Sequence, residues 1–450
     1  MSLMVSISGV RGIVGENLTP EIVKRFALSF AEYCNYGLII IGRDGRPSGN
    51  EITKLASEIL SGAGCKIIDI GIAPTPTIQL AVEKFHATGG IAITASHNPA
   101  EWNGLKFLNS EGMFLNNFEQ KQFLNIYQNI SGRSFISSSK NISFDKSLID
   151  YHIQKVISIP YFKNANFTKK IKVVVDTVNA SGSFIIPKLL KHFNCEVIPI
   201  ACDGTGIFPH MPEPIPKNLT QLSEAVILNQ ADLGIAIDPD ADRLILFTED
   251  GIPFSEEYTV VAVSDFVLKK EFEIGNKHRV VTNLSTTRAM DDISRKYGAT
   301  LYRTPVGEIN VATKMKEVNA IIGGEGSGGV ILKQLHLGRD AMVGVGLILQ
   351  SLAEFGGKVS ELKKLLPNYF ILKDSVDVSN YSTEQLLDNF KKHFNSRGKI
   401  NTDDGIKFDF ENSWCHLRKS NTEPIIRIIT EAQTFNDSKT LLDEIKQFLQ

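Results

Sequence analysis

Asp238-Pro-Asp-Ala-Asp-Arg243 sets three carboxylates at alternate positions, with an arginine directly after them. The apolar runs Leu233-Gly-Ile-Ala-Ile237 and Leu244-Ile-Leu-Phe247 flank it, so the stretch reads as strand, acidic turn, strand. Three carboxylates that close together repel strongly unless a cation lies among them. Hard oxygen donors on a tight turn suit Mg2+, which keeps coordination positions open for phosphate or water. The turn therefore predicts a divalent metal beside a phosphorylated ligand. Two rival readings share part of the pattern. A calcium loop needs glycine at its sixth position, where Arg243 stands, and its flanks are helices rather than strands. A phosphatase with a nucleophilic aspartate accounts for two carboxylates but not for the third, nor for the arginine.

Working outward, one layout occurs three times. Leu38-Ile-Ile-Ile41 leads into Gly42-Arg-Asp-Gly-Arg-Pro-Ser-Gly49, a helix, and Lys66-Ile-Ile-Asp-Ile70. In that helix Ile52, Leu55, Ala56, Ile59 and Leu60 form a one-sided apolar stripe. Ile171-Lys-Val-Val-Val175 leads into Asp176-Thr-Val-Asn-Ala-Ser-Gly182, a helix through Leu189 and Leu190, and Glu196-Val-Ile-Pro-Ile200. His278-Arg-Val-Val281 leads into Thr282-Asn-Leu-Ser-Thr-Thr287, a helix through Ile293, and Thr300-Leu-Tyr302. Units of this kind build parallel sheets covered by helices, with ligand loops at the strand C-termini. The expectation is three tandem α/β domains. The tail differs. Asp374 to Val378 reads as a strand, Leu386 to Phe394 as a helix, Trp414-Cys-His-Leu417 and Ile425-Ile-Arg-Ile-Ile429 as paired strands, and Leu441 to Leu449 as a last helix. This is an α+β module. The Ser- and Asn-rich stretch 131–147 reads as a linker or long loop.

Composition sets the class. The chain has 450 residues, 42% apolar and 22% charged, with a formal net charge of -2, as expected of a soluble globular protein of several domains. Nothing in that balance points to nucleic acid or to a membrane surface. No apolar run approaches the roughly 20 residues of a membrane span. The five cysteines are scattered without CxxC spacing, which speaks for a reducing, cytoplasmic setting and against a cysteine-bound zinc.

Four further motifs bear on chemistry. Thr94-Ala-Ser-His-Asn-Pro99 follows the apolar Gly90-Ile-Ala-Ile93, which puts Ser96 on a loop just past a strand beside His97. It reads either as a nucleophile loop or as an Asn-Pro turn with local hydrogen bonds. Lys106 follows in Asn103-Gly-Leu-Lys106. Gly323-Gly-Glu-Gly-Ser-Gly-Gly329 lacks the Lys-Ser/Thr of a P-loop, and Glu325 and Ser327 suit sugar hydroxyls. A structural glycine turn is the alternative. Arg418-Lys-Ser-Asn-Thr-Glu-Pro424 is either a phosphate clamp or a solvated hairpin turn. Ser8-Gly-Val-Arg-Gly12 offers one more arginine, Arg11, on a glycine loop.

Taken in order, these five motifs resemble the α-D-phosphohexomutase superfamily over essentially the whole chain. The resemblance implies three related α/β domains with mixed sheets at 1–147, 148–249 and 250–367, and a smaller α+β domain at 368–450, around one central cleft. It implies that Ser96 is a phosphoserine and that Asp238, Asp240 and Asp242, with the phosphoserine oxygen, hold one Mg2+. It gives Arg11, His97, Lys106 and Arg243 to the reacting phosphoryl group, Glu325 and Ser327 to the sugar hydroxyls, and Arg418, Ser420, Asn421 and Thr422 to the non-transferring phosphate. A hexose 1,6-bisphosphate activates, and either Lys106 or His97 accepts the sugar hydroxyl proton. The partner is a small phosphosugar, with no nucleic acid and no membrane, and the chain is a monomer or homodimer. Gly329 stands where many relatives carry histidine. The wording of that loop, with His336-Leu-Gly-Arg-Asp-Ala341 and Trp102, looks more like the phosphoglucosamine mutase branch, although that branch often has Asn where Ser327 stands. Phosphomannomutase or phosphoglucomutase activity is the alternative. His336 and Arg339 either touch substrate or shape a wall of the third domain.

Overall fold

The computed structural model describes residues 3–6, 9–130, 137–162, 170–379, 382–419 and 425–449. The three repeats share one four-stranded core. In the first, Lys66–Ile72, Leu38–Arg43 and Gly89–Ile93 run parallel and Trp102–Leu108 returns antiparallel. In the second, Glu196–Pro199, Lys172–Asp176 and Leu233–Ile237 are parallel and Leu244–Phe247 antiparallel. In the third, Thr300–Thr304, Arg279–Asn283 and Ile322–Glu325 are parallel and Gly329–Leu332 antiparallel. The sheets are therefore mixed: each parallel core carries one antiparallel edge strand. The first sheet is extended at one end by Gly9–Ile13 and Met4–Ser6.

Each repeat thus closes on a hairpin that joins its last parallel strand to its antiparallel strand. Those three hairpins carry Thr94 to Glu101, Asp238 to Arg243, and Gly326 to Gly328. They lie at the C-terminal ends of parallel strands, where open α/β sheets bind their ligands. The site forms where three topologically equivalent turns meet.

The helix stripe in the first repeat packs as its periodicity dictates: in Gly49–Gly62, Ile52, Ala56, Ile59 and Leu60 are buried and Leu55 is half-buried. Burial of each such side chain contributes about 1.5–3 kcal/mol. The second and third repeats share one core. Helix Ala341–Phe355 is buried on nearly every face, against helices Glu256–Glu273 and Leu148–Ile157 and strand Gly329–Leu332. Its sequence is apolar all round for that reason.

The tail forms an antiparallel sheet in the order Phe370–Asp377, Ile425–Ala432, Ser413–Lys419, Ile406–Asp409, Lys399–Asn401. Helices Thr383–Phe394 and Phe435–Leu449 cover it over a separate core that includes Phe390, Phe394, Phe408, Ile428 and Ile445. The two strands on the Lys399 side were not anticipated. Nor is all of 131–147 a loop. Residues 131–136 lie outside the described residues, but Ile142–Phe144 pairs parallel with Ile67 to Asp69 at the sheet edge. Three residues are too few to show a period, and the strand is imposed by the edge it completes. Among the described residues no helix is long and apolar enough to cross a membrane.

Candidate active site

Ser96 sits just after strand Gly89–Ile93, with a left-handed φ of 51°. A non-glycine residue there costs about 1–2 kcal/mol and persists where its surroundings fix it. Here the backbone is fixed from both sides. Ser96 N donates to Thr94 Oγ1 at 2.8 Å, and Thr94 Oγ1 donates to Asp44 Oδ2 at 2.7 Å. Asp44 in turn accepts from Arg46 N and Arg46 Nε at 2.9 and 3.0 Å. The fully buried Arg46 then donates to the carbonyls of Ser96 (2.6 Å), Asn98 (2.7 Å), Pro99 (2.6 Å) and Trp102 (3.2 Å). One guanidinium thus sets the curvature of the whole Ser96 turn, with the Phe208 ring 4.8 Å from its centre. Replacing Arg46 by Met removes the counter-charge of the buried Asp44 and one hydrogen bond from each of four carbonyls. The expected loss of stability is about 3–5 kcal/mol, with a parallel fall in kcat, read by chemical denaturation and turnover; a wild-type unfolding curve contradicts this.

The acidic turn comes to the same point. Ala241 takes a left-handed φ of 54°, which curls the loop so that Asp238, Asp240 and Asp242 converge. All three are buried, with one carboxylate oxygen from each within 4.8 Å of the others. Asp238 Oδ1 accepts from the backbone of Asp242 and Arg243, both at 3.1 Å, and Asp238 Oδ2 accepts from Ser96 Oγ at 3.2 Å. Asp240 Oδ2 accepts from Lys106 Nζ at 2.6 Å and Thr75 Oγ1 at 2.7 Å. Asp242 Oδ2 accepts from Arg339 at 2.6 Å. The remaining oxygens, Asp240 Oδ1 and Asp242 Oδ1, are buried without a hydrogen-bond partner. Two orphaned anionic oxygens beside a third carboxylate and a hydroxyl form a donor set that fits Mg2+. The electrostatics agree. Burial, then Asp242 and Asp240, push the Asp238 carboxyl well above the usual carboxylate range. Burial opposes ionisation of Asp240 too, but Lys106 and its hydrogen bond overcome it and hold that carboxyl far down.

Around this centre lie the other expected residues. His97 Nδ1 is 3.3 Å from Ser96 Oγ. Arg243, burial and Arg11 hold its imidazole well below the ordinary value, so it is neutral and keeps a lone pair. Arg11, on strand Gly9–Ile13, donates to Asn98 Oδ1 at 3.2 Å and so borders the Ser96 turn. Lys106 projects from Trp102–Leu108, and its ammonium lies 2.6 Å from Asp240 and 3.6 Å from Asp242. Arg243 Nε lies 3.8 Å from Asp242 Oδ1.

These groups line one end of a cleft of about 880 Å³. Glu325 and Ser327 line its next stretch. Glu325 Oε1 accepts from Asn283 Nδ2 (2.8 Å) and Gly307 N (2.9 Å), and Oε2 accepts from Arg339 (2.7 Å). The far end belongs to the tail sheet. Arg418 lies 2.8 Å from Asp404, and Arg427 faces it across the strand pair. Lys373 stands at the same end, 2.9 Å from Glu257. Ser420, Asn421 and Thr422 fall outside the described residues. His336 does not reach the cleft; it is buried 3.1 Å from Asp340. Sequence reasoning missed Arg46, Glu308, Asn283, Lys373 and Arg427. For Arg46 a signal was present, three charged residues in a glycine loop directly after an apolar strand. The others are placed by chain reversals that periodicity does not encode.

Comparison with known proteins agrees with this geometry. Four profiles match in order: phosphoglucomutase/phosphomannomutase alpha/beta/alpha domain I at residues 4–134, domain II at 150–251, domain III at 255–369, and the C-terminal domain at 375–447. A phosphoglucomutase/phosphomannomutase of Thermococcus kodakarensis is 36% identical over 98% of this chain and 97% of its own. A phosphoglucosamine mutase of Methanococcus vannielii is 31% identical over 98% of this chain and 97% of its own. A crystal structure of a phosphoglucomutase/phosphomannomutase family protein from Burkholderia thailandensis superposes with a TM-score of 0.85 at 24% identity, covering 99% and 98% of the two chains, and so shares the fold. The chain belongs to the phosphoglucomutase/phosphomannomutase family, the α-D-phosphohexomutases, and is a hexose phosphate mutase.

Proposed function

We infer that the chain is a phosphoglucosamine mutase that interconverts glucosamine 6-phosphate and glucosamine 1-phosphate through a phosphoserine at Ser96. The observation that carries the chemistry is Ser96 Oγ, 3.2 Å from Asp238 Oδ2 in the acidic turn with the orphaned oxygens of Asp240 and Asp242, buried behind the cleft-lining His97, Lys106 and Arg243. A phosphoserine adds about -1.5 to -2 charges to that spot. Asp238, Asp240 and Asp242 would hold Mg2+, which would supply positive charge beside the transferring group.

The chain's own groups do the rest. A sugar hydroxyl attacks the phosphorus in line, its bond to phosphorus forms, and the bond from phosphorus to Ser96 Oγ breaks. Neutral His97 takes the hydroxyl proton and passes it to the departing serine oxygen; Lys106, tied to Asp240, serves as a cation instead. Arg11 and Arg243 face the equatorial oxygens. The 1,6-bisphosphate so formed turns over, and Ser96 takes the other phosphoryl group by the reverse step. The same bisphosphate, added from outside, primes an unphosphorylated chain.

Throughout, the distal phosphate is gripped by Arg418, with Ser420, Asn421 and Thr422, which follow it in the sequence, and with Arg427 and Lys373. Replacing Arg418 by Ala is expected to weaken binding by about 1.5–3 kcal/mol, seen as a rise in KM for the sugar phosphate. An unchanged KM removes the clamp assignment.

Glu257, Glu308 and Glu325 put acidic side chains in the cleft wall, each already paired with Lys373 or Arg339, and the amino sugar is supported by the relatives. The relatives of Methanococcus vannielii and, at 31% identity, Methanopyrus kandleri bear phosphoglucosamine mutase names. The 36% identity to the Thermococcus phosphoglucomutase/phosphomannomutase favours a second reading, glucose or mannose phosphate. A coupled assay with Mg2+ and catalytic bisphosphate decides, by kcat/KM for glucosamine 6-phosphate, glucose 1-phosphate and mannose 1-phosphate. Preference for the amino sugar is expected; preference for either neutral sugar overturns that assignment and leaves the mutase chemistry intact.

A further inference from the structure

We propose that Arg339 is a positioning residue that ties the metal loop to the sugar loop, and that position 329 is glycine because the stem of Arg339 fills the space beside it. The proposal rests on the reading of Asp242 as a metal ligand and Glu325 as a sugar reader.

The guanidinium of Arg339 is the meeting point of three buried carboxylates from three separate elements: Asp242 on the acidic turn, Glu325 at the end of strand Ile322–Glu325, and Glu308 at the start of helix Glu308–Val318. It donates to Asp242 Oδ2 at 2.6 Å and to Glu325 Oε2 at 2.7 Å, and its Nε lies 3.1 Å from Glu308 Oε2. The backbone N of Arg339 donates to Glu308 Oε1 at 3.0 Å, so Glu308 is held by the same residue twice. Each contact has a consequence at the cleft. By occupying Asp242 Oδ2, Arg339 leaves Oδ1 as the oxygen that is free for a metal. By occupying Glu325 Oε2, while Asn283 and Gly307 hold Oε1, it locks the carboxylate plane that faces the sugar. A planar fork can serve two carboxylates at fixed angles; a lysine ammonium cannot.

The arginine is anchored from behind. Asp340 follows it and caps helix Ala341–Phe355, its Oδ1 accepting from Met342 N and Val343 N at 2.8 and 3.2 Å. Asp340 Oδ2 lies 2.8 Å from His152 and 3.1 Å from His336, and Thr77 from the first repeat lies 2.8 Å from the other nitrogen of His152. Asp340 N donates to Val330 O at 2.8 Å, which fixes the distance to strand Gly329–Leu332. Arg339 therefore cannot retreat when its side chain is pressed.

Gly329 shows that pressure. A Cβ at this position would lie 2.2 Å from Arg339 Cδ, 3.0 Å from Cγ and 3.3 Å from Nε. Its backbone is not left-handed, so the demand for glycine is one of space alone. Any side chain at 329 must expel the arginine from its seat between the two loops.

Three single variants and one double test this: Arg339→Lys, Arg339→Ala, Gly329→Ala, and Gly329→Ala with Arg339→Ala. Turnover of glucosamine 6-phosphate and the affinity for Mn2+ alone, by calorimetric titration, are read on each. Arg339→Lys keeps the charge and loses the fork; kcat is expected to fall, and the Mn2+ Kd to rise, by about 10- to 100-fold, with a near-unchanged melting midpoint. Gly329→Ala should reproduce both defects, and in the Arg339→Ala background it should add nothing further. If Arg339→Ala does not fold, the first and third variants still decide. Wild-type kcat and Mn2+ affinity in Arg339→Lys, or a Gly329→Ala that behaves as wild type, overturns the proposal. A wild-type chain that turns over and binds Mn2+ while these variants match it overturns the proposal alone; a wild-type chain that binds no Mn2+ overturns the metal reading with it.

Discussion

Ser96→Ala is expected to lose mutase turnover by about 10⁴-fold or more, with sugar phosphate binding retained. The loss follows from chemistry: without Oγ no oxygen on the chain can carry the phosphoryl group between the two ends of the sugar. The retention follows from structure. The turn is shaped by Arg46 through carbonyl oxygens, including that of Ser96, and by Thr94 through Ser96 N, and alanine keeps all of these. The left-handed φ of 51° at this position is as accessible to alanine as to serine, so no new strain enters. The distal end of the cleft, with Arg418, Arg427 and Lys373, is untouched. Calorimetric titration with the sugar phosphate, beside a coupled turnover assay, separates the two effects. Wild-type turnover in this variant would end the phosphoserine reading. A wild-type chain that releases inorganic phosphate from the substrate, with no isomer formed, would instead mark a phosphatase.

The second large effect is that of the metal. Chelation is expected to stop turnover, and its return at about a hundred times Kd is expected to stabilise the fold by about 2.7 kcal/mol. A pH dependence follows from the acidic turn. Burial and the neighbouring Asp242 and Asp240 raise the Asp238 carboxyl well above its ordinary value of about 3.9. A carboxyl raised in the folded state gives a stability contribution that is full below its unfolded value and is lost as pH climbs through the folded value. The metal-free chain should therefore lose melting temperature as pH rises above the ordinary carboxylate range. With Mg2+ present that loss should shrink, because the cation replaces the proton on Asp238, and apparent metal affinity should rise with pH. Melting curves in chelator and in Mg2+ across a pH series check both signs. A metal-free chain whose stability rises with pH over this interval, at a rate equal to that in Mg2+, would contradict the shared-cation account of the three aspartates.

The acidic turn and the triple layout were legible because they are local. Alternate carboxylates between two apolar runs can be read from fifteen residues, and a strand, loop, helix and strand from about thirty. What stayed hidden is the antiparallel return strand of the first and third repeats, and with it the fact that the turns bearing Ser96 and Asp240 and the turn directly after Glu325 are equivalent hairpins. Trp102–Leu108 is buried at all seven positions and offers no alternation to read, while Gly329–Leu332 follows a glycine run that reads equally well as a loop. Ile406–Asp409 was missed because Asn401 to Gly405 before it is a loop by composition, and because the strand hides Lys407 with its ammonium over the Trp414 ring. The buried arginines were illegible for another reason. Arg46 and Arg339 owe their roles to partners about 50 and 100 residues away in the chain, and the glycine loop around Arg46 marks a site without naming the carbonyls that it grips. Gly329, read as a departure from a histidine pattern, gains its physical cause only when the Arg339 stem is seen against it.

The measurement that bears most directly on the account is the site of phosphate on the chain itself. Wild-type protein and Ser96→Ala are incubated with glucose 1,6-bisphosphate and Mg2+, and the digested chains are mapped by mass spectrometry. One phosphoryl group on Ser96 of the wild type, discharged when glucosamine 6-phosphate is added and absent from the variant, is the predicted result. A wild-type chain that catalyses the isomerisation while carrying no phosphate on Ser96, or carrying it on another residue, would contradict it.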